Sequence, residues 1–185
     1  ASQVKIFQIA LDSENLKNNI TVNLKGEFSQ CSINGIQFAN QQQALSTHLA
    51  IIHQVENTSS DINYKSIADQ KAEIIVSAHI KVLPDAIKTN SNTNLNNILL
   101  SNAATIDTAP ELEIYADDVK CSHGTTTGKI DANALFYLKS RGIGEENARK
   151  LLLYAFAHEV IGQLKIESVK EKVSQLFEQS LSSGI

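Results

Sequence analysis

The chain reads as a mainly β protein that finishes in a small α-helical unit. Three observations carry this reading. Up to about residue 118, short apolar–polar alternations are cut by turn residues, the pattern of half-buried strands. Beyond Asp131 the apolar spacing changes to the helical repeat. Between the two lies the stretch 111–143, ELEIYADDVKCSHGTTTGKIDANALFYLKSRGI, which holds a strand pattern, a closely spaced Cys and His, and the start of a helical hairpin. Its 185 residues are enough to bury a sizeable core in one or two domains. On spacing alone, the first solution for the β part is a sandwich.

The strands are predicted in order. Residues 4–11 form the first. Ile20, Val22 and Leu24 alternate before a turn at Gly26. Phe28, Cys31, Ile33 and Phe38 follow, broken at Asn34-Gly35, a strong turn signal. Residues 45–55 make a longer run, 57–61 a turn, and 74–82 another strand ended by Pro84-Asp85. A short strand at 98–100 precedes the 111 strand, in which Leu112, Ile114 and Ala116 alternate with Glu113, Tyr115 and Asp117. The Asn-rich run 90–97 reads equally as a low-complexity segment or as polar ladders between stacked strands. His48 and His53 are five apart, so they face opposite sides and are not a metal pair. Cys31 has no titratable neighbour in sequence and reads as packing.

After Asp117 and Asp118 the pattern resumes as Val119, Lys120, Cys121, Ser122, His123. Side chains in a strand repeat every two residues, so Cys121 and His123 share a face. A thiolate and an imidazole so placed can approach one borderline metal ion. Two ligands do not complete a four-ligand site, and a second chain or a small molecule must supply the rest. Plain packing of the thiol is the competing account. Gly124 is expected to end the strand, with residues 124–128 as a polar loop.

The helical part follows from caps and stripes. Asp131 is a good N-cap for a helix over about 132–141, with Lys139 and Arg141 at its negative end. Gly142 suits the left-handed position after it, and Ile143 folds back on Leu138. A second helix starts near Glu145 with Glu145 and Glu146 in its first turn. Its stretch 151–157 is apolar on nearly every side, which marks a helix that is buried or binds a partner. Ser168 and Glu171 form a capping box for a third helix, on which Val169, Val173, Leu176, Phe177 and Leu181 make one stripe. Residues 182–185 are expected to fray. Covering the last β rung is the plainest role for this unit.

Composition narrows the function. The net charge of −4 gives no sign of nucleic-acid or anionic-membrane binding. A DNA-binding helix-turn-helix fits 135–153 only superficially, because the second helix offers just Arg149 and Lys150. There is no long apolar run for a transmembrane helix and no secretion leader. Two cysteines in separate segments favour a reducing compartment, the cytoplasm. No phosphate-binding loop is present, so any ATP hydrolysis belongs to a partner.

The run LEIYADDVKCSHGTTTGKIDANALFYLKSRGI, with PDAIKTNSNTNLNNILLS upstream, resembles the SufB/SufD family of the Suf iron–sulfur cluster assembly complex. The likeness is dense over about residues 80–165. The CSHG at residues 121–124 is similar to the SufD branch, while SufB-type chains usually carry His-Glu there. The resemblance implies a right-handed parallel β-helix, residues 1–128, followed by a helical domain, residues 129–185. It implies a non-catalytic scaffold that pairs with a SufB-like subunit and docks a SufC-like ATPase through its helices, and a C-terminal fragment of a longer chain, consistent with the absence of methionine. His123, and with it Cys121, would face the subunit interface. There they would hold transient iron or an iron–sulfur cluster shared with the partner, or help acquire iron, with no tightly bound cofactor. Leu135, Phe136, Leu138, Arg141, Gly142, Ile143, Arg149, Leu152 and Tyr154 would form the ATPase dock. An unpaired interface also makes a homodimer plausible in isolation. Ile74, Ala78, Ile87, Asn90 and Asn96 depart from the family's usual residues, which marks a divergent member and leaves the CSHG strand untouched. The alternative is a stand-alone carbohydrate-binding or carbohydrate-active β-helix. Asp117 and Asp118 are adjacent and point apart, a poor acid–base pair for that chemistry.

Overall fold

A computed structural model describes residues 1–184, with side chains through Ser182. The β part comprises β1 (Gln3–Ala10), β2 (Asn15–Leu24), β3 (Gln30–Ala39), β4 (Ala44–His53), β5 (Ser59–Ala68), β6 (Glu73–Val82), β7 (Asn90–Leu99), β8 (Thr105–Ile114) and β9 (Lys120–Gly128). Three helices follow: α1 (Ala132–Ser140), α2 (Glu145–Ile161) and α3 (Glu167–Gly184).

Successive strands do not pair with each other. The chain alternates between two sheets, one ordered β1-β3-β5-β7-β9 and the other β2-β4-β6-β8, and every pairing is parallel. The result is a parallel coil of about four turns, with partners such as Ser60 and Ser91 lying 31 residues apart. Alternation in sequence reports that a strand has one buried face. It does not report which strand lies beside it, and that is why spacing alone pointed to a sandwich. Seven of the eight bends between strands are turned by a left-handed residue, and the bend between β7 and β8 has none. Asp12, Gln41 and Gln70 turn one corner at φ 53–56°, and Phe28, Asn57, Lys88 and Asp118 turn the other at φ 53–60°.

The inward side chains, among them Ile33, Ile62, Leu45, Ile74, Val76 and Ile80, form one apolar core. Several buried polar groups inside it bond one another. The Thr47 hydroxyl donates to Gln37 Oε1 at 3.3 Å, Tyr64 OH donates to the same oxygen at 3.4 Å, and Gln37 donates to Ser66 at 3.1 Å. A second core lies on the outer face of the five-stranded sheet. There Ile36, Phe38 and Ile67 meet Leu153, Ala157, Val160 and Ile161 of α2 and Val173, Phe177 and Leu181 of α3. The C-terminal halves of β3 and β5 are therefore buried on both faces. The helices fold back over the sheet rather than over the last rung, and Ser180 of α3 donates to Asp12 Oδ2 at 2.9 Å, back at the first corner.

One charged contact holds this arrangement. Lys65, only 3% exposed, points from β5 under α2, where its Nζ lies 2.8 Å from Glu159 Oε2 and 4.1 Å above the Phe156 ring. Removing one partner of a buried pair leaves an uncompensated charge. Glu159 is itself largely exposed, so water softens the loss. Glu159→Gln is expected to cost about 1–2 kcal/mol in urea unfolding, and Lys65→Met less, since it removes the charge along with the pairing.

Several predicted boundaries shift. Asn34-Gly35 is not a turn but the middle of β3. The glycine is needed for packing: a Cβ there would lie 2.0 Å from Tyr64 Cε2. The strand seen at 98–100 runs from Asn90, the 111 strand begins at Thr105, and β9 continues through the threonines to Gly128 instead of looping at Gly124. Polar side chains hid these strands, because each is paired to a neighbouring rung: Asn92 donates to Asp61, Ser122 to Asn92 and Thr126 to Asn96, at 2.9–3.1 Å. Asp131 caps α1 as expected, accepting from Asn133 N and Ala134 N. Gly142 has φ 87° and Ile143 N donates to Leu138 O at 3.2 Å. The third helix starts at Glu167, so Ser168 lies in its first turn and is not the cap. Its end, expected to fray from Ser182, is helical to Gly184, and Ile185 lies outside the described residues.

Candidate functional site

The site is the last turn of the coil. β9 ends the five-stranded sheet and β8 ends the other, so each has one edge without a strand partner among the described residues. Thr108 and Thr125 bridge the two strands through their hydroxyls at 2.9 Å. Register fixes the direction of the β9 side chains. Cys121 pairs with Ser91 and His123 with Thr93, both interior positions, and Cys121 packs against the apolar core beside Val119, Ile106 and Leu112. Cys121 and His123 therefore share the inward face, as their spacing predicts. They differ in depth. The thiol is half-buried, and burial pushes its pKa up against a lowering contribution from the Ser91 backbone N–H. His123 is exposed because no further rung lies over it.

Among the described residues no group of three or more His, Cys, Asp or Glu side chains could hold a metal. Cys121 and His123 therefore do not form a closed ligand set with other His, Cys, Asp or Glu side chains among the described residues. Asp117 and Asp118 lie in the corner before β9, both exposed. The other three strand histidines are engaged within the fold, His79 with Glu113 at 3.0 Å. His48 bonds Ser46 at 3.0 Å and Ser77 at 2.7 Å on the outer face, while His53 is fully buried between Thr58 at 2.8 Å and Ser60 at 2.9 Å.

A second exposed feature lies at the other end of the chain's helical unit. α1 has no buried residue. Phe136 is 73% and Tyr137 56% exposed, with the Arg141 guanidinium 5.3 Å from the Tyr137 ring. Leu135, Leu138, Ile143, Leu152 and Arg149 are half-buried, and Gly142 is exposed at the hairpin. Tyr154 packs partly against the α2–α3 core. Ile143, Asn147, Lys150, Leu151, Tyr154 and Leu181 line a groove between α2 and α3. Arg149 and Lys150 are already paired with Glu145 and Glu146 one turn back, which removes the cations that a DNA reading would use. No described helix is long and apolar enough to cross a membrane.

Residues 1–156 match the family model described as SUF system FeS cluster assembly, SufBD core domain. The chain belongs to the SufBD family. It is 38% identical to the iron–sulfur cluster assembly protein SufD of Escherichia coli over 169 residues, 91% of this chain and 40% of that protein. It is 31% identical to an iron–sulfur cluster assembly SufBD family protein of Synechocystis sp., over 94% of this chain and 38% of the relative. A chloroplastic protein of Arabidopsis thaliana, ABCI7, is 26% identical over 92% of this chain. The chain spans about two fifths of the length of the first of these relatives. Membership of this family supports a role in iron–sulfur cluster assembly, and the Escherichia coli and Synechocystis relatives are named as assembly proteins.

Reasoning from sequence picked out Cys121 and His123 but missed Thr93, the register partner of His123. The signal was available only through the coil's repeat, since partners on neighbouring rungs such as Asn92 and Ser122 lie 30 residues apart.

Proposed function

We propose that this chain is a non-catalytic scaffold subunit of iron–sulfur cluster assembly that works in the cytoplasm, pairing with a SufB-like subunit at the last rung of the coil and docking a SufC-like ATPase on its helical hairpin. The observation that carries this reading is the open last rung: two strand edges without partners, with His123 exposed and Cys121 half-buried on the inward side between them. An edge strand is a template for another chain. A partner that adds to these edges would seat its own ligands against the imidazole and thiol. Iron or a nascent cluster is then the shared cargo of the pair, not a resident cofactor of this chain, and His123 takes part in acquiring or holding it. The exposed Phe136, Tyr137 and Arg141 supply an aromatic and cationic surface of the kind that anchors protein interfaces.

The test is complementation of a strain lacking the subunit. His123→Ala in the full-length protein is expected to abolish cluster assembly while leaving co-purification with the SufB-like and SufC-like subunits intact. Phe136→Ala with Arg141→Ala is expected to release only the ATPase. Normal assembly by the His123 variant would sink the proposed site.

A further inference from the structure

We infer that Thr93 is a positioning residue for His123, holding its ring in one orientation when the partner closes the last rung. The assignment rests on the proposed role of His123 as a ligand. The interior column that ends in His123 reads Ile6, Ile33, Ile62, Thr93, His123 across the five strands. Three rungs carry isoleucine at this place, and the fourth, directly beneath the histidine, carries threonine. Packing alone would be served by valine, which has the same shape as threonine without the hydroxyl. Thr93 is 1% exposed, and its Oγ1 is buried with no hydrogen-bond partner. Buried hydroxyls normally find partners, and leaving one unpaired is costly.

The neighbouring column shows the contrast. There the Ser60 and Ser91 hydroxyls bond each other at 2.8 Å, and Ser60 also meets His53 at 2.9 Å. On β9, Thr125 is bonded to Thr108. Within its own column Thr93 has isoleucine on one side, so the polar group that register places beside it is His123. His123 lies on the open end of the coil, exposed. A hydroxyl can donate to an imidazole nitrogen or accept from its N–H. Either bond to one ring nitrogen fixes the ring's rotation and leaves the other nitrogen directed at the incoming ligand, the usual role of the outer partner of a metal-binding histidine.

The experiment uses the full-length protein co-expressed with its SufB-like and SufC-like subunits. Iron and cluster retained by the purified complex are measured together with its melting temperature, for Thr93→Val, Thr93→Ser and His123→Ala. Thr93→Val is expected to lower retained iron about tenfold with little change in melting temperature, because valine fills the same space and the hydroxyl has no partner within the fold of the chain itself. Thr93→Ser restores the hydroxyl and is expected to recover retention to within about twofold. Wild-type retention in Thr93→Val, or equal loss in the valine and serine variants, overturns the inference. If His123→Ala loses iron while Thr93→Val does not, Thr93 is excluded and the role of His123 stands. If His123→Ala retains it, the underlying reading falls and this one with it.

Discussion

Replacing Gly35 by alanine is expected to cost about 3 kcal/mol or more, the upper range for forcing extra volume into a packed core. The added Cβ would stand 2.0 Å from Tyr64 Cε2 and 2.3 Å from Cδ2. The ring has nowhere to go. It is 1% exposed, and its hydroxyl is tied to Gln37 Oε1 and Thr47. Moving it would break a buried polar network that joins β3, β4 and β5 through Gln37, Thr47 and Tyr64. Equilibrium urea unfolding of the single variant measures the loss. The clash is specific to the tyrosine ring, so in a Tyr64→Ala background the added methyl group is expected to cost less than half as much. Equal costs in both backgrounds would show that backbone conformation, not contact with the ring, makes glycine necessary.

The second large effect is on pH. His53 is fully buried, and burial lowers its pKa from 6.5 to about 4. The folded state holds the ring neutral, one nitrogen against the Thr58 hydroxyl and the other against Ser60, while the unfolded chain takes up a proton near 6.5. Its contribution is therefore complete above pH 6.5 and is lost as the pH falls from there through about 4. The shift corresponds to roughly 3 kcal/mol across that window. Denaturation midpoints measured from pH 7.5 down to 4.5 should fall more steeply for the native protein than for His53→Gln, which is less stable at neutral pH but does not titrate. Parallel curves would mean that the ring charges inside the fold without penalty.

Sequence reasoning reached the β-then-α order, the cap of α1 at Asp131 and the shared face of Cys121 and His123 because each depends on residues close together in the chain, while the inward direction of that face needed the register of β9 on β7. It failed where a side chain answers to a neighbour one rung away. Asn34-Gly35 has the local chemistry of a turn, and only Tyr64, twenty-nine positions after Gly35 in the register of β3 and β5, makes it a strand. Thr125–Thr127 look like loop residues until β7 is laid beside them. The stripe on α3 was legible, yet only Val173, Phe177 and Leu181 reach the sheet, while Val169 and Leu176 remain 42% and 37% exposed. The coiled architecture itself came from the resemblance to the SufB/SufD family, since alternate strands pair and no short window spans a turn.

The corners have one more implication. Paired residues on adjacent rungs are separated by 27 residues at Gln3 and Gln30, 29 at His48 and Ser77, and 32 at Lys81 and Glu113. The strands themselves scarcely vary, at 8–10 residues each. The slack is taken up in the bends, the longest of which, residues 83–89, still tucks Ala86 and Thr89 inside while the stacked columns keep their register. Genes for such coils can therefore gain or lose codons at the bends over generations, while a single-codon deletion inside a strand would turn the remaining side chains of that strand to the wrong face.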